Sequence, residues 1–192
     1  MRKMRRQALY PGAARTCGAR LRARLAPVLG CMLALALSVL VADRAVAADE
    51  GTGLPVPRFV SLKADKVNVR IGPNRDQDVA WIFSRAGLPV EITAEFETWR
   101  RIRDSEGAEG WVYHSLLSGR RTALVAPWLK AGTVSLRERP TLDAAVVAKL
   151  ERGVLGALKS CDGQWCRFDG PGFEGFVEQG QLWGVYPGEK IE

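Results

Sequence analysis

The chain of 192 residues carries a single histidine, His114. A multi-histidine metal centre is thereby excluded, and a Ser-His or Cys-His nucleophilic machine would have one candidate base. His114 follows Gly110-Trp111-Val112-Tyr113 at the exit of a predicted strand and precedes Ser115-Leu116-Leu117, which reads as a polar residue at an exposed corner. The carboxylates Glu91, Glu95 and Glu97 alternate along one predicted strand and are expected to face solvent. Glycan cleavage requires two carboxyls about 5 to 10 Å apart across a deep cleft, which one solvent-facing strand does not make. Gly170-Pro171-Gly172-Phe173-Glu174-Gly175 has the letters of a dinucleotide fingerprint. Without a helix opening at its third glycine the phosphate-binding physics is missing, so the segment is expected to be a hairpin loop. No catalytic residue, metal ligand or cofactor is assigned.

Cysteine chemistry points elsewhere. Cys161 and Cys166 flank Asp162-Gly163-Gln164-Trp165, where Asp-Gly predicts a tight turn with the two cysteines facing each other at its base. Facing residues in an antiparallel pair have Cα atoms about 4.5 to 5.5 Å apart, within disulfide range. A redox pair is normally C-x-x-C at a helix start, and zinc would need two more ligands. A structural disulfide is the expectation.

Six tryptophans, Trp81, Trp99, Trp111, Trp128, Trp165 and Trp183, all lie after residue 48. Such rings either fill a core or line a shallow groove for peptides or sugars. Trp99 and Trp165 begin equivalent strands beside turns, and with Trp111 and Tyr113 they form the candidate ligand groove. Arg100-Arg101-Arg103 and Arg120-Arg121 are basic clusters with acids interspersed, expected to be solvated faces.

The charge of the whole chain is +7, with a pI near 9.6. Nine of its 28 basic residues and one of its 21 acidic residues lie before Ala48, so the remainder is close to neutral. That segment has a basic stretch, an apolar run from Ala26 to Ala42, and the small residues Ala45-Val46-Ala47-Ala48. This is the order of a secretory signal. Residues 1–47 are read as a signal peptide cleaved after Ala47, or as a retained anchor, and in both cases the chain from Ala48 onward is exported. The basic pI is then no argument for a nucleic-acid partner.

The elements that must position these residues are short. From Phe59 onward, alternating apolar runs are cut by Gly, Pro and Asp at roughly ten-residue intervals, predicting many strands and no long helix. The pattern repeats after about 66 residues. Val67-Asn68-Val69-Arg70 returns as Val134-Ser135-Leu136-Arg137, Trp99-Arg100-Arg101-Ile102 as Trp165-Cys166-Arg167-Phe168, and Gly110-Trp111-Val112 as Gly175-Phe176-Val177. The join, Thr122 to Trp128, is too apolar for a free linker, so the repeats are expected to touch with Trp128 near their contact.

The run Val67 to Arg70 with Gly72-Pro73, Trp99 to Ile102, and Gly110-Trp111-Val112 resembles the bacterial SH3-like domains. The second copy departs from that pattern with Ser135, Arg139 and Phe176. The resemblance implies an all-β chain: a signal peptide, a short linker over 48–57, and two small SH3-like β-barrels over 58–125 and 126–188. It also implies a periplasmic, non-enzymatic protein that binds peptidoglycan or an envelope protein or peptide. The rival expectation is a small cell-envelope hydrolase, or an accessory subunit of one.

Overall fold

The computed structural model describes residues 51–192; the export segment expected over 1–47 lies outside the described residues. Strands β1 (Arg58–Leu62), β2 (Val67–Arg70), β3 (Val79–Phe83), β4 (Pro89–Phe96), β5 (Trp99–Arg103), β6 (Glu109–Tyr113) and β7 (Leu117–Ser118) form one sheet. Its order is β3-β2-β6-β5-β4-β1-β7. Strands β8 (Thr122–Val125), β9 (Thr133–Arg137), β10 (Val146–Glu151), β11 (Leu155–Asp162), β12 (Trp165–Gly170), β13 (Phe173–Glu178) and β14 (Leu182–Trp183) form a second. Its order, β10-β9-β13-β12-β11-β8-β14, is the same permutation, so the internal repeat of the sequence is a repeat of topology. A last strand, β15 (Lys190–Ile191), pairs with β11.

Alternation sets each core. In β2, Val67 and Val69 are fully buried while Asn68 points out. Val90, Ile102 and Val112 join them in the first core, and in the second Leu136, Phe168 and Val177 take the places of Val69, Ile102 and Val112. The glycine of each Gly-Trp/Phe-Val motif sits where β2 or β9 crosses β6 or β13. A Cβ on Gly110 would lie 3.0 Å from the Arg70 carbonyl oxygen, and one on Gly175 would lie 2.6 Å from that of Arg137. Core volume is exchanged between the copies. Ile102 pairs with Ile92 and Phe168 with Leu158, which makes Val90 and Gly156 equivalent. A Cβ on Gly156 would approach Phe168 Cζ to 2.5 Å, so the larger ring is housed by the missing side chain.

The segment Thr122–Val125 is no linker. All four residues are buried, pairing with β11 and β14, because this is the first strand of the second sheet. The boundary expected after Val125 therefore moves to before Thr122. The repeats touch as the apolar join predicts. Phe59 packs against Trp183 at 5.2 Å and Tyr186 at 4.7 Å between ring centroids, the Thr122 hydroxyl donates to the Gly87 carbonyl at 2.7 Å, and Tyr186 donates to Glu91 at 2.8 Å. Trp128 stands at the rim of this junction, 54% exposed.

The disulfide Cys161–Cys166 is present, joining directly opposed residues of β11 and β12 with Cα atoms 4.1 Å apart. The turn above it is Gly163-Gln164, with Gly163 at φ +104° and the Asp162 carboxylate accepting the amide hydrogens of Gln164 and Trp165. The closed loop is short, so the link contributes about 2 kcal/mol. A Cys161→Ala/Cys166→Ala variant should lose about that much in urea unfolding with an unchanged m-value. Reductant should shift the wild type equally, and a wild type indifferent to reductant would contradict the link. Gly156→Val alone should cost about 2 kcal/mol or more by overpacking, and Phe168→Ile added to it should recover most of the loss, measured in the same way.

Candidate functional site

The first repeat brings two of the four predicted groove residues together. Trp99 and Tyr113 are opposed on β5 and β6, and their rings meet edge to face with centroids 5.6 Å apart; Trp99 is buried rather than open at the rim, so Tyr113 presents the more accessible ring. Arg75, from the long loop between β2 and β3, places its guanidinium carbon 5.4 Å from the Tyr113 ring centroid, a cation–π contact. Asn68 and Arg70 from β2 and Leu116 from the turn after β6 complete an open cavity of about 280 Å³. Arg70 also donates to the Gln77 carbonyl, which anchors the loop that carries Arg75. Among the described residues neither arginine has a carboxylate within ion-pairing distance.

The other two predicted residues lie apart. Trp111 is on the same outward face of β6, opposite Arg70 and Arg101, but does not line the cavity. Trp165 lines a separate hollow of about 400 Å³ in the second repeat, opposite Glu178 rather than a tyrosine, with Leu142 where the first repeat has Arg75. The two hollows share a tryptophan and little else. Asn68, Arg70, Arg75 and Leu116 were not singled out from the sequence, although aligning the copies exposes the Arg75/Leu142 and Tyr113/Glu178 differences.

Two expectations about charge are corrected. Glu91 and Glu95 do not face solvent: both side chains are nearly fully buried. Glu91 accepts from Arg103 and from the Tyr186 hydroxyl, and Glu95 is bonded by Arg58, by Arg100 at 3.1 Å, and by the Thr52 amide at 2.6 Å. A bulge between Ile92 and Ala94 breaks the simple alternation for Glu95, whereas Glu91, ahead of the bulge, is covered by Tyr186 from the second repeat. Arg100 is likewise no solvated charge, since its guanidinium is buried and also donates to the carbonyls of Glu97 and Trp99. Glu97 turns the chain at φ +47°. His114 is exposed, with its ring tilted against that of Tyr113 at 5.0 Å between centroids.

Glu95 and Arg100 are directly opposed, as Cys161 and Cys166 are. Each pair flanks an equivalent tryptophan-bearing turn, so an ion pair in the first repeat stands where the second has a disulfide. Burial alone would raise the Glu95 carboxyl, but the hydrogen bonds from Arg58 and Thr52 outweigh it and hold its pKa at about 2. Tyr186 is pushed well above the usual phenol range by burial first and then by its bond to Glu91, so it serves as a neutral donor.

The family model described as bacterial SH3 domain matches residues 63–119 and again 130–184. The chain belongs to the bacterial SH3 domain family. Its two SH3 repeats are those two sheets, with the Trp99–Tyr113 groove in the first. No curated protein matches the chain. Among solved structures it is similar to NlpC1 from Trichomonas vaginalis, with 13% identity and a TM-score of 0.32 over 69% of this chain and 47% of that one. NlpC2 from the same organism gives 12% and 0.31 over 68% and 49%. The chain thus spans about half the length of these structures.

Because the folded pKa of Glu95 lies below its ordinary value of 4.5, its stabilisation is full above that value and is lost as pH falls toward about 2. That loss should reach about 3 kcal/mol. Glu95→Gln should unfold more easily at neutral pH and lack this acid-linked component. Equal pH slopes for the two proteins in denaturant unfolding would contradict the assignment.

Proposed function

We propose that this protein is a non-enzymatic binding protein of the cell envelope, exported by its N-terminal segment, which holds peptidoglycan or an envelope protein or peptide in the groove of its first SH3 repeat. The observation that carries this reading is the pairing of the Trp99–Tyr113 rings with Arg70 and Arg75, two arginines without carboxylate partners among the described residues. Rigid rings give apolar contact at small entropic cost, and a guanidinium beside them suits a peptide that carries a free carboxylate. Family membership supports a binding role. Against a hydrolase stands the use already made of the candidate groups: Glu91 and Glu95 are buried in ion pairs, and His114 sits exposed against Tyr113.

The full exported chain should be retained by protein-free sacculi if peptidoglycan is the ligand, and Tyr113→Ser or Arg75→Ser should reduce retention about tenfold, which is about 1.4 kcal/mol. Absence of retention together with an Arg75-dependent crosslink to an envelope protein would select the protein ligand. Release of new fragments from labelled peptidoglycan, abolished by His114→Ala, would overturn the non-enzymatic reading.

A further inference from the structure

The junction between the repeats holds a third hollow, of about 330 Å³, that belongs to neither barrel alone. Phe59 contributes from the first repeat, and Trp128, Trp183 and Tyr186 from the second. Three of these rings are packed on one another, but Trp128 is 54% exposed at the rim. Trp128 thus presents an uncovered ring beside a concave apolar surface.

Polar atoms in the same wall are incomplete. The Trp183 indole N–H is buried without an acceptor, and the Gln179 side-chain oxygen is buried without a donor although its amide nitrogen donates to the Tyr186 and Glu189 carbonyls. Gln179 is only 4% exposed, and both residues line the hollow. Buried polar groups are almost always satisfied, so an orphan donor and an orphan acceptor in one wall ask for a ligand group that can both accept and donate. The wall's one carboxylate and one guanidinium, Glu91 and Arg103, are paired with each other, and Glu91 also accepts from Tyr186, which leaves the hollow without net charge.

We infer that this junction is a saccharide-binding site for one or two neutral sugar rings. A sugar has flat apolar C–H faces to lie on Trp128, and hydroxyls that accept from Trp183 and donate to Gln179 once those two buried side chains turn toward the hollow. Its neutrality matches the wall, and the volume is at the small end for ligand sites, sufficient for a ring but not for a folded partner. A peptide end with a free carboxylate fits the groove of the first repeat, whose arginines have no carboxylate partner among the described residues, whereas the guanidinium here, Arg103, is already taken by Glu91. Since Phe59 and Trp183 come from different repeats, the site exists only in the tandem protein. It is separate from the Trp99 groove and stands or falls independently of it.

The test uses the full exported chain titrated with a trisaccharide of N-acetylglucosamine and, in parallel, with maltotriose, followed by tryptophan fluorescence and by amide shifts in NMR. Saturable binding with Kd near 1 mM or tighter is expected for at least one sugar, with shifts centred on Trp128 and Trp183. Preference for the acetylated sugar would assign the source to an amino-sugar polymer, and preference for maltotriose to a plain glucan. Trp128→Ala, at an exposed position, should weaken binding at least about tenfold with an unchanged unfolding midpoint. Trp183→Phe keeps a ring but removes the N–H, and should weaken binding several-fold while Tyr113→Ser leaves it unaltered. No saturable binding of either sugar, binding that survives Trp128→Ala, or loss on Tyr113→Ser would overturn the inference.

Discussion

Each repeat depends on one cross-strand clip just below the turn of its longest hairpin. A barrel of this size buries too little surface to be comfortably stable, so a link that fixes its hairpin register has effects throughout. In the first repeat the clip is Glu95 against Arg100, and in the second it is Cys161 against Cys166. Both sit directly below the tryptophan that lines the hollow of their repeat, so the same contact that holds the hairpin also aims Trp99 or Trp165. The chain tightens each clip from its own side. Thr52 and Arg58, which precede the first strand or open it, bond to Glu95, and β15 pairs alongside Cys161 and Asp162.

The two solutions differ in what they demand of their surroundings. A disulfide is covalent, carries no charge and needs only facing backbones. A buried ion pair carries a desolvation cost that is offset only when the remaining lone pairs and protons find partners. This explains why Arg100 also reaches the Glu97 and Trp99 carbonyls and why Glu95 takes further donors from Thr52 and Arg58. The first repeat therefore needs residues ahead of its first strand to complete its clip. The second completes its own with two cysteines and gains the freedom to use its C-terminal tail at the junction, where Tyr186 meets Phe59 and Glu91.

Period-2 alternation and the repeat were legible in the residues, and with them the all-β class, the two copies and the disulfide turn. Reading failed where a residue's setting is decided by chain distant in sequence. Glu91 and Glu95 looked like solvent-facing alternates because a bulge and partners as remote as Tyr186 leave no local mark. Thr122–Val125 looked like a join because a first strand that pairs with segments about 30 and 60 residues later is locally no more than an apolar run. Trp99 and Tyr113 could be chosen as outward rings beside a turn, but that Arg75 folds over Tyr113 is a property of a loop whose path the sequence does not encode by period.

The duplication has preserved the scaffold and released the surface. Inward positions keep apolar character, as in Val67 and Val134, Val69 and Leu136, or Val112 and Val177, and where size changes, as from Ile102 to Phe168, Val90 gives way to Gly156 to restore the volume. Outward positions around the hollows obey no such rule: Arg75 faces Tyr113 in one copy, and Leu142 and Glu178 stand in the other. Close packing makes each core position answer to its neighbours, whereas a groove side chain answers only to solvent or to a ligand. A shared fold therefore gives no ground for assigning both repeats one ligand. The loss of both the guanidinium and the phenol from the second hollow removes the groups that would hold an anionic peptide there, and leaves the tandem with chemically distinct faces on nearly identical frames.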